Sequence, residues 1–155
     1  MKAAMALDDD IRVLSGVRLF EGFTREQLRL IAFGAETISL NAGRKLYSEG
    51  APADCAFVVA AGEVALFHQA GEKREVVSVQ GAGAILGELA LIAETERLTG
   101  AVAQTDVKVI RLSRSMFHRI LEEFPETAID LRRRIAADLQ AMLARFGAVA
   151  EKLAK

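Results

Sequence analysis

Residues 84–97 have the sequence AILGELALIAETER, and this stretch determines how the fold is assigned. Four apolar residues follow Glu88, which predicts one short helical turn in surroundings that otherwise alternate like β-strands. A helix start preceded by Gly87 offers unpaired backbone N–H groups and the positive end of a dipole, and both favour a phosphate. A side chain at position 87 would keep a ligand away from that backbone. Arg97 can supply a permanently charged, bidentate partner for the same phosphate, and Glu88 can accept a hydrogen bond from a sugar hydroxyl.

A plainer interpretation of these residues places them on the surface. Arg97 can form a salt bridge with Glu94 or Glu96, and Glu88 can be an ordinary exposed acid. The glycine and the glutamate side by side, at this distance from the arginine, favour the phosphate site instead.

The chain around this stretch, from residue 36 to residue 112, has the period of two that is typical of β-strands. Apolar residues alternate with polar ones at Ile38 and Leu40 and again at Val64 and Leu66, and the run 56–60 predicts a short buried strand. Glycines separate the runs at positions where turns need a positive φ: Gly43, Gly50, Gly62, Gly71, Gly81 and Gly83. Several short strands at this spacing predict a sandwich or a barrel.

Residues 7–35 are predicted to form N-terminal helices. Asp8, Asp9 and Asp10 are interpreted as the start of the first helix, where the dipole favours negative charge. Thr24 followed by Gln27 three residues later is a capping-box pattern, which predicts the start of the second helix.

Residues 113–155 are predicted to form C-terminal helices, with Ser113 capping one helix and Pro125 beginning a longer one. Apolar residues in the longer helix recur every three or four positions. From Ile135 onward they follow a heptad seam, which is formed by Ile135, Leu139, Met142, Phe146, Val149 and Leu153. A small β domain cannot cover so long a stripe, so part of it is predicted to pack against a second copy of the chain.

The composition is that of one domain spanning residues 1–155, since 52% of the residues are hydrophobic and can form a sizeable core. No apolar run approaches the roughly 18 residues that a transmembrane helix needs, so no membrane association is predicted. With 20 basic and 21 acidic residues, the net charge of −1 argues against a nucleic-acid partner. A single cysteine, Cys55, excludes an internal disulfide, is predicted to be a small core residue, and fits a reducing cytoplasm.

No catalytic or metal-binding pattern is present in the sequence. His68 and His118 stand far apart with no carboxylate or cysteine at ligand spacing, and no nucleophile is paired with a base. Arg132, Arg133 and Arg134 point in different directions on a helix and are interpreted as a solvated face. The chain is therefore predicted to be neither an enzyme nor a metalloprotein, and to carry no cofactor.

An all-β block between helices, with Leu86-Gly87-Glu88-Leu89-Ala90-Leu91 and Arg97 in order, resembles the cyclic nucleotide-binding domain family. The resemblance is to the sensor domain of the catabolite activator protein superfamily, without its DNA-binding domain, and it extends from about Val17 to Leu153. It implies a mainly β fold with flanking helices, in which an eight-stranded, jelly-roll-like β-roll carries N-terminal helices and a long C-terminal helix. That helix covers the base of the ligand.

The resemblance also implies roles for individual residues. Gly87 and Leu89 would donate backbone N–H groups to the ligand. Glu88 would bind the ribose 2′-OH, and Arg97 would bind the cyclic phosphate. The remaining residues assigned to the ligand site are Leu86, Ala90, Leu98, Thr99 and Met142. Leu98 departs from the family, because many members have Ser, Thr or Ala directly after the arginine. Met142 and Leu143 fall where the superfamily has hydroxyl residues that read the base, so the sequence leaves cAMP and cGMP open.

The function expected from this resemblance is that of a stand-alone, cytoplasmic sensor of cAMP or cGMP. Its ligand would rearrange the C-terminal helices, and the last helix is predicted to form a homodimer. Two alternatives stay open. One is a degenerate domain that serves as a protein-interaction scaffold, and the other is a transcription regulator truncated before its helix-turn-helix.

Overall fold

The computed structural model describes the backbone of residues 4–154 and the side chains of residues 6–144. In this part of the chain, helices precede and follow a block of short strands, as the sequence predicts. The helices are α1 (Ala4–Ser15), α2 (Arg25–Gly34), α3 (Arg114–Leu121) and α4 (Pro125–Ala154), with short 3₁₀ turns at Arg18–Phe20 and Glu88–Leu91. The strands are β1 (Glu36–Leu40), β2 (Lys45–Tyr47), β3 (Pro52–Ala53), β4 (Cys55–Ala61), β5 (Val64–Ala70), β6 (Lys73–Gln80), β7 (Ile85–Leu86), β8 (Thr95–Glu96), β9 (Gly100–Ala103) and β10 (Val107–Ser113).

Eight of these strands form a roll of two four-stranded antiparallel sheets. One sheet has the order β1-β10-β4-β7 and the other β2-β9-β5-β6, while β3 and β8 pair separately beside the roll. The mainly β, eight-stranded architecture predicted from the sequence is confirmed. The separate β3–β8 ladder is the part that the period of the sequence did not show.

Strand β4 is buried on both faces, which explains its unbroken apolar run. Cys55, Phe57 and Val59 point between the two sheets and pack with Val64 of β5. Ala56 and Val58 point the other way, into a second cluster that the helices cover. Because alternate residues of a strand face opposite sides, this one strand holds the roll and the helical layer together.

The N-terminal helices pack on the outer face of the β4 sheet. The capping box of α2 is confirmed, since Gln27 N–H donates to Thr24 Oγ1 (3.1 Å) and Thr24 N–H donates to Gln27 Oε1 (2.9 Å). The prediction for α1 is wrong, because the helix begins at Ala4 and Asp8 to Asp10 lie inside it. There they have other partners: Asp9 pairs with Arg12 at 2.7 Å, and Asp10 is buried and accepts a hydrogen bond from Thr37 Oγ1 at 3.3 Å.

The turns follow the predicted glycines with one exception. Gly43, Gly50, Gly62, Gly71 and Gly83 have positive φ, whereas Gly81 does not. The carbonyl oxygen of Gly81 instead accepts a hydrogen bond from the N–H of Ala84 at 3.1 Å, so the turn closes with ordinary backbone angles.

The apolar stripe of α4 has two different environments. Leu131 and Ile135 are buried in the helix-covered core of the same chain, so the chain itself covers this part of the stripe, and packing of the rest against a second copy stays a prediction. Leu139 and Met142 are partly exposed and face a cavity described below. Phe146, Val149 and Leu153 lie outside the residues whose side chains the structure describes. Among the helices in the described range, none is long and apolar enough to span a membrane.

Candidate functional site

A cavity of about 610 Å³ lies between the β-roll and α4. The stretch singled out in the sequence forms one wall, from Ile85 to Leu89 and from Thr95 to Thr99. Tyr47 of β2 contributes to the wall, and α4 contributes its share from Ile135 to Met142 on the opposite side. The cavity therefore joins the segment that carries the phosphate motif to the C-terminal helix.

Gly87 connects the strand β7 to the 3₁₀ turn Glu88–Leu91. Its backbone is in the left-handed region, with φ 73° and ψ 36°, which L-residues with a side chain rarely adopt. A Cβ at this position would also overlap Nη1 of Arg97. Both facts require glycine, and together they bring the Arg97 guanidinium directly against the backbone of the turn.

The 3₁₀ turn begins directly after Gly87, next to Arg97. Its first hydrogen bond is donated by the N–H of Ala90 to the carbonyl oxygen of Gly87, at 3.0 Å. The N–H groups of Glu88 and Leu89 precede that bond, as expected at the start of any helical turn. A negatively charged group next to Arg97 can thus reach backbone donors as well as the guanidinium.

Arg97 is buried, with only 7% of its surface exposed. Its backbone is fixed on both sides, because Arg97 N–H donates to the carbonyl oxygen of Ala51 and its own carbonyl oxygen accepts from the N–H of Gly50, each at 2.8 Å. Its Nη2 donates to Cys55 Sγ at 3.2 Å. Its Cζ lies 4.4 Å from the centre of the Tyr47 ring.

The other terminal nitrogen of Arg97, Nη1, is buried and has no hydrogen-bond partner in the described part of the chain. Among the described residues no carboxylate forms an ion pair with this guanidinium either. A buried charged donor without a partner costs free energy, so native proteins rarely retain one without a role. An anion in the cavity is the partner that would satisfy both the charge and the unpaired N–H.

Glu88 faces a second carboxyl group across the cavity. Burial, and then the charge and the hydrogen bond of Asp138 on α4, raise the pKa of Glu88 to about 7. Near neutral pH, Glu88 therefore carries a proton part of the time. This contact links the 3₁₀ turn to α4.

The first turns of α4 are anchored to the N-terminal part of the chain. Gln27 Nε2 donates to Thr127 Oγ1 at 3.0 Å, and Arg134 Nη1 donates to the carbonyl oxygens of Leu19, at 3.0 Å, and of Glu21. Past Ile135 the described contacts of α4 with the roll are those around the cavity, through Asp138, Leu139 and Met142. The helix thus has a fixed first part and continues over the site.

Most residues predicted from the sequence line this cavity. They are Leu86, Gly87, Glu88, Leu89, Arg97, Leu98, Thr99 and Met142. Ala90 does not line it, because its side chain is fully buried beneath the 3₁₀ turn. Leu98 is 52% exposed at the cavity. Thr99 lines the cavity, and its side chain forms a hydrogen bond with that of Tyr47.

Three residues of the site escaped the sequence analysis: Tyr47, Cys55 and Asp138. Tyr47 is the chain's one tyrosine, but it lies 50 positions before Arg97 and belongs to no motif. Cys55 is the buried core residue that the sequence predicts. Its contact with Arg97 was not predicted, because Cys55 belongs to β4 and Arg97 follows β8, 42 positions later in the chain. Asp138 follows the buried Ile135 by three residues on one helix face, which was the one available signal.

A larger cavity, of about 960 Å³, lies between α3, the start of α4 and β10. Two of its arginines are partly exposed and already have partners. Arg111 pairs with Asp54 at 3.6 Å, and Arg114 Nη1 donates to the carbonyl oxygens of Ala53, at 3.3 Å, and Ala93, at 2.8 Å. Arg97, whose Nη1 is buried without a partner among the described residues, lines the smaller cavity, which is therefore the candidate site.

A β-roll whose glycine-led turn and buried arginine face a C-terminal helix defines a class of small-ligand-binding regulatory domains. Residues 37–124 match the family model for the cyclic nucleotide-binding domain, and the chain belongs to that family. This family is a binding and regulatory domain rather than a catalytic one.

Solved structures and curated proteins agree with the assignment. A cyclic nucleotide-binding-like protein from Brucella abortus is 60% identical, with a TM-score of 0.68, covering 74% of this chain and 99% of that one. The catabolite activator protein of Thermus thermophilus is 25% identical, with a TM-score of 0.72, covering 85% of this chain and 62% of that one. The cAMP-dependent protein kinase regulatory subunit of Aspergillus fumigatus is 35% identical over 117 residues, which are 67% of this chain and 27% of that protein.

The relatives are longer proteins in most cases. The chain spans between 8% and 64% of the length of the curated relatives described by these comparisons. What the chain shares with them is the cyclic nucleotide-binding domain.

Proposed function

We propose that this chain is a sensor that binds a cyclic nucleotide, cAMP or cGMP, in the cavity between the β-roll and α4. The observation that carries the proposal is the buried, unpaired Nη1 of Arg97 beside the left-handed Gly87. Family membership supports it, as does similarity to a cyclic AMP receptor protein and to a cAMP-dependent protein kinase regulatory subunit.

The cyclic phosphate would lie between Arg97 Nη1 and the first N–H groups of the 3₁₀ turn. This arrangement combines a charge-assisted hydrogen bond with the positive end of a short helical turn. Glu88 would accept a hydrogen bond from the ribose 2′-OH. Leu98, Leu139 and Met142, which line the rest of the cavity, would pack against the base.

The signal would be a change in the position of α4. Its first part is anchored by Leu131, Ile135 and Arg134, while the next turn touches the site through Asp138. A ligand whose hydroxyl donates a hydrogen bond to the Glu88 carboxyl group would compete with the hydrogen bond between Glu88 and Asp138. Ligand binding therefore biases the equilibrium between α4 positions, which is the population shift expected of a sensor.

Isothermal titration calorimetry with cAMP, cGMP and 5′-AMP tests the proposal. The variant Arg97→Lys keeps the charge but loses the planar fork, and Arg97→Ala loses both. Because hydrogen bonds to charged groups contribute about 1.5–3 kcal/mol, we expect Arg97→Ala to bind about 10- to 150-fold more weakly. Arg119→Ala, which removes an exposed arginine of α3 outside the cavity, is the matched control and should bind like wild type.

Binding of 5′-AMP as tight as that of both cyclic nucleotides would contradict a site built for a cyclic phosphate. Absent or millimolar binding of all three ligands would contradict the proposal as a whole. That result would favour the second candidate, a protein-interaction scaffold, for which the half-exposed apolar side chain of Leu98 at the cavity is the specific support.

We further propose that α4 mediates a homodimer. Ile129 and Leu143 are apolar residues of α4 that are 51% and 57% exposed, and both are available to a partner surface. Size determination of the wild type and of Phe146→Glu tests this: loss of a dimer in the variant is expected, and a monomeric wild type would contradict it. A cytoplasmic location, supported by the free thiol of Cys55, stays a prediction.

A further inference from the structure

We infer that the Tyr47 ring and the Cys55 thiol form a cradle that holds the Arg97 guanidinium in the orientation needed for an anion, which makes them positioning residues for the ligand. This inference rests on the proposed function and adds to it two residues that belong to no motif. Together, the side chains of Tyr47 and Cys55 are called the Arg97 cradle.

The Arg97 cradle constrains the guanidinium in two directions. The guanidinium lies over the Tyr47 ring, with Cζ 4.4 Å from the ring centre, and this contact restricts its movement on that side. Cys55 Sγ accepts a hydrogen bond from Nη2 at 3.2 Å, which restricts its rotation. Nη1, which has no hydrogen-bond partner among the described residues, lies next to Gly87.

A second aromatic ring extends the cradle. Phe57 lies 5.5 Å from Cζ of Arg97 and packs against Tyr47, with ring centres 6.0 Å apart. Phe57 is a buried residue of β4, so the Tyr47 ring is held in place by the interior of the roll. The cradle therefore forms part of the rigid scaffold.

A thiol has a consequence that a carboxylate at the same place would not have. A carboxylate would satisfy Nη2 but would also neutralise the guanidinium charge that attracts an anion. Cys55 is buried, and burial raises the pKa of its thiol, so it accepts the hydrogen bond as a neutral group. Arg97 is thus oriented while it keeps its full positive charge.

The two members of the cradle can be tested separately by paired variants. Cys55→Ser keeps a hydrogen-bond acceptor, whereas Cys55→Ala has nearly the size of serine and removes the acceptor. Tyr47→Phe keeps the ring, whereas Tyr47→Leu removes it. The measurement is calorimetric affinity for cAMP and cGMP, with the midpoint of thermal unfolding recorded for each variant.

We expect Cys55→Ser and Tyr47→Phe to bind within about threefold of wild type, and Cys55→Ala and Tyr47→Leu to bind about tenfold and about fivefold more weakly. A role in packing alone would not separate alanine from serine in this way, because the two residues have nearly the same size. Equal affinity of Cys55→Ala and wild type, or equal losses in Cys55→Ser and Cys55→Ala, would overturn the role of the thiol. Equal affinity of Tyr47→Leu and wild type would overturn that of the ring.

A measurement on the unliganded wild type keeps the inference testable if a variant fails to fold. In ¹⁵N-arginine-labelled protein, a held guanidinium gives separate, slowly exchanging Nη signals, and a freely rotating one gives an averaged signal. Separate signals for Arg97, assigned with Arg97→Lys, are expected, and an averaged signal would overturn the cradle. If the wild type binds no cyclic nucleotide, the proposed function fails, while this spectrum still decides the cradle.

Discussion

The carboxyl pair of Glu88 and Asp138 makes the stability of the protein depend on pH in a predictable way. The perturbation is Asp138→Asn, which removes one charge from the pair and keeps the size of the side chain. In the folded protein the pKa of Glu88 is raised to about 7 from an ordinary 4.5, first by burial and then by Asp138. In the unfolded chain both influences are absent.

The sign of the effect follows from proton binding. Between pH 4.5 and about 7 the folded state holds a proton on Glu88 that the unfolded state has lost. The free energy of unfolding contributed by this group therefore falls as the pH rises through this window, and stays low above about pH 7. The full difference in pKa corresponds to about 3 kcal/mol.

The expected effect of the variant is smaller than this full value. Burial is the largest cause of the raised pKa, and Asp138→Asn leaves burial unchanged. Solvent also screens part of the interaction, because Glu88 is partly exposed. We expect Asp138→Asn to be about 1 kcal/mol more stable than wild type at about pH 8 and equally stable at about pH 5.

Two assays measure this prediction. A ¹³C NMR titration of the glutamate carboxyl groups, with Glu88 assigned by Glu88→Gln, should give a pKa near 7 in wild type and a lower value in Asp138→Asn. Urea unfolding at the two pH values gives the free energies. Asp130→Asn removes an exposed carboxylate from the same helix and outside the cavity, so it should behave like wild type.

The reasoning would be refuted if Glu88 titrated near 4.5 in wild type, since neither burial nor Asp138 would then raise its pKa. It would be refuted equally if Asp130→Asn reproduced the pH-dependent gain of Asp138→Asn. In that case the gain would come from the overall charge of α4 rather than from its contact with Glu88.

Three further substitutions test the parts of the fold that support the site. Gly87→Ala forces a side chain into a left-handed backbone and against Arg97, so we expect a loss of about 1–3 kcal/mol in urea unfolding, together with weaker nucleotide binding in calorimetry; wild-type values for both would contradict the geometry. In Gly62→Ala the new Cβ meets the Asp106 carbonyl oxygen and the backbone has φ 84°, so the loss of stability should be comparable and should appear as a lower thermal midpoint. Gly71→Ala has nothing near its Cβ and should be destabilised only by the left-handed backbone. Thr24→Ala removes the capping box of α2 and should cost about 1 kcal/mol, while Thr24→Ser should retain most of it, as differential scanning calorimetry would show.

The fold could be predicted from the sequence to the extent that each feature is local. The period of two from residue 36 to residue 112, the run of β4 and the capping pattern at Thr24 and Gln27 depend on neighbours a few positions apart. The start of α1 could not be fixed in this way. Three consecutive aspartates are as compatible with a helix interior as with its start once Arg12 and Thr37 supply partners.

The candidate site divides along the same line. Gly87, Glu88 and Arg97 stand close together in one segment, so their common chemistry is visible in the sequence. Tyr47, Cys55 and Asp138 reach them only when β2, β4 and α4 are brought together, and no spacing encodes that meeting. A heptad pattern cannot tell whether the chain itself or a second copy covers an apolar stripe. The tertiary structure shows that Ile135, the first residue of the pattern, is buried in the chain's own core.

Local sequence patterns were enough to predict the β-roll between helices and the segment that offers an anion a glycine, a carboxylate and an arginine. These properties arise from hydrophobic periodicity and from the conformational freedom of glycine, both of which act over short distances along the chain. The tertiary structure alone decided that Arg97 is buried with one nitrogen unpaired, that a thiol and a tyrosine ring orient it, and that α4 meets Glu88 through Asp138. Burial and pairing depend on residues far apart in the chain, because packing sets which charges lose their water and which neighbours replace it.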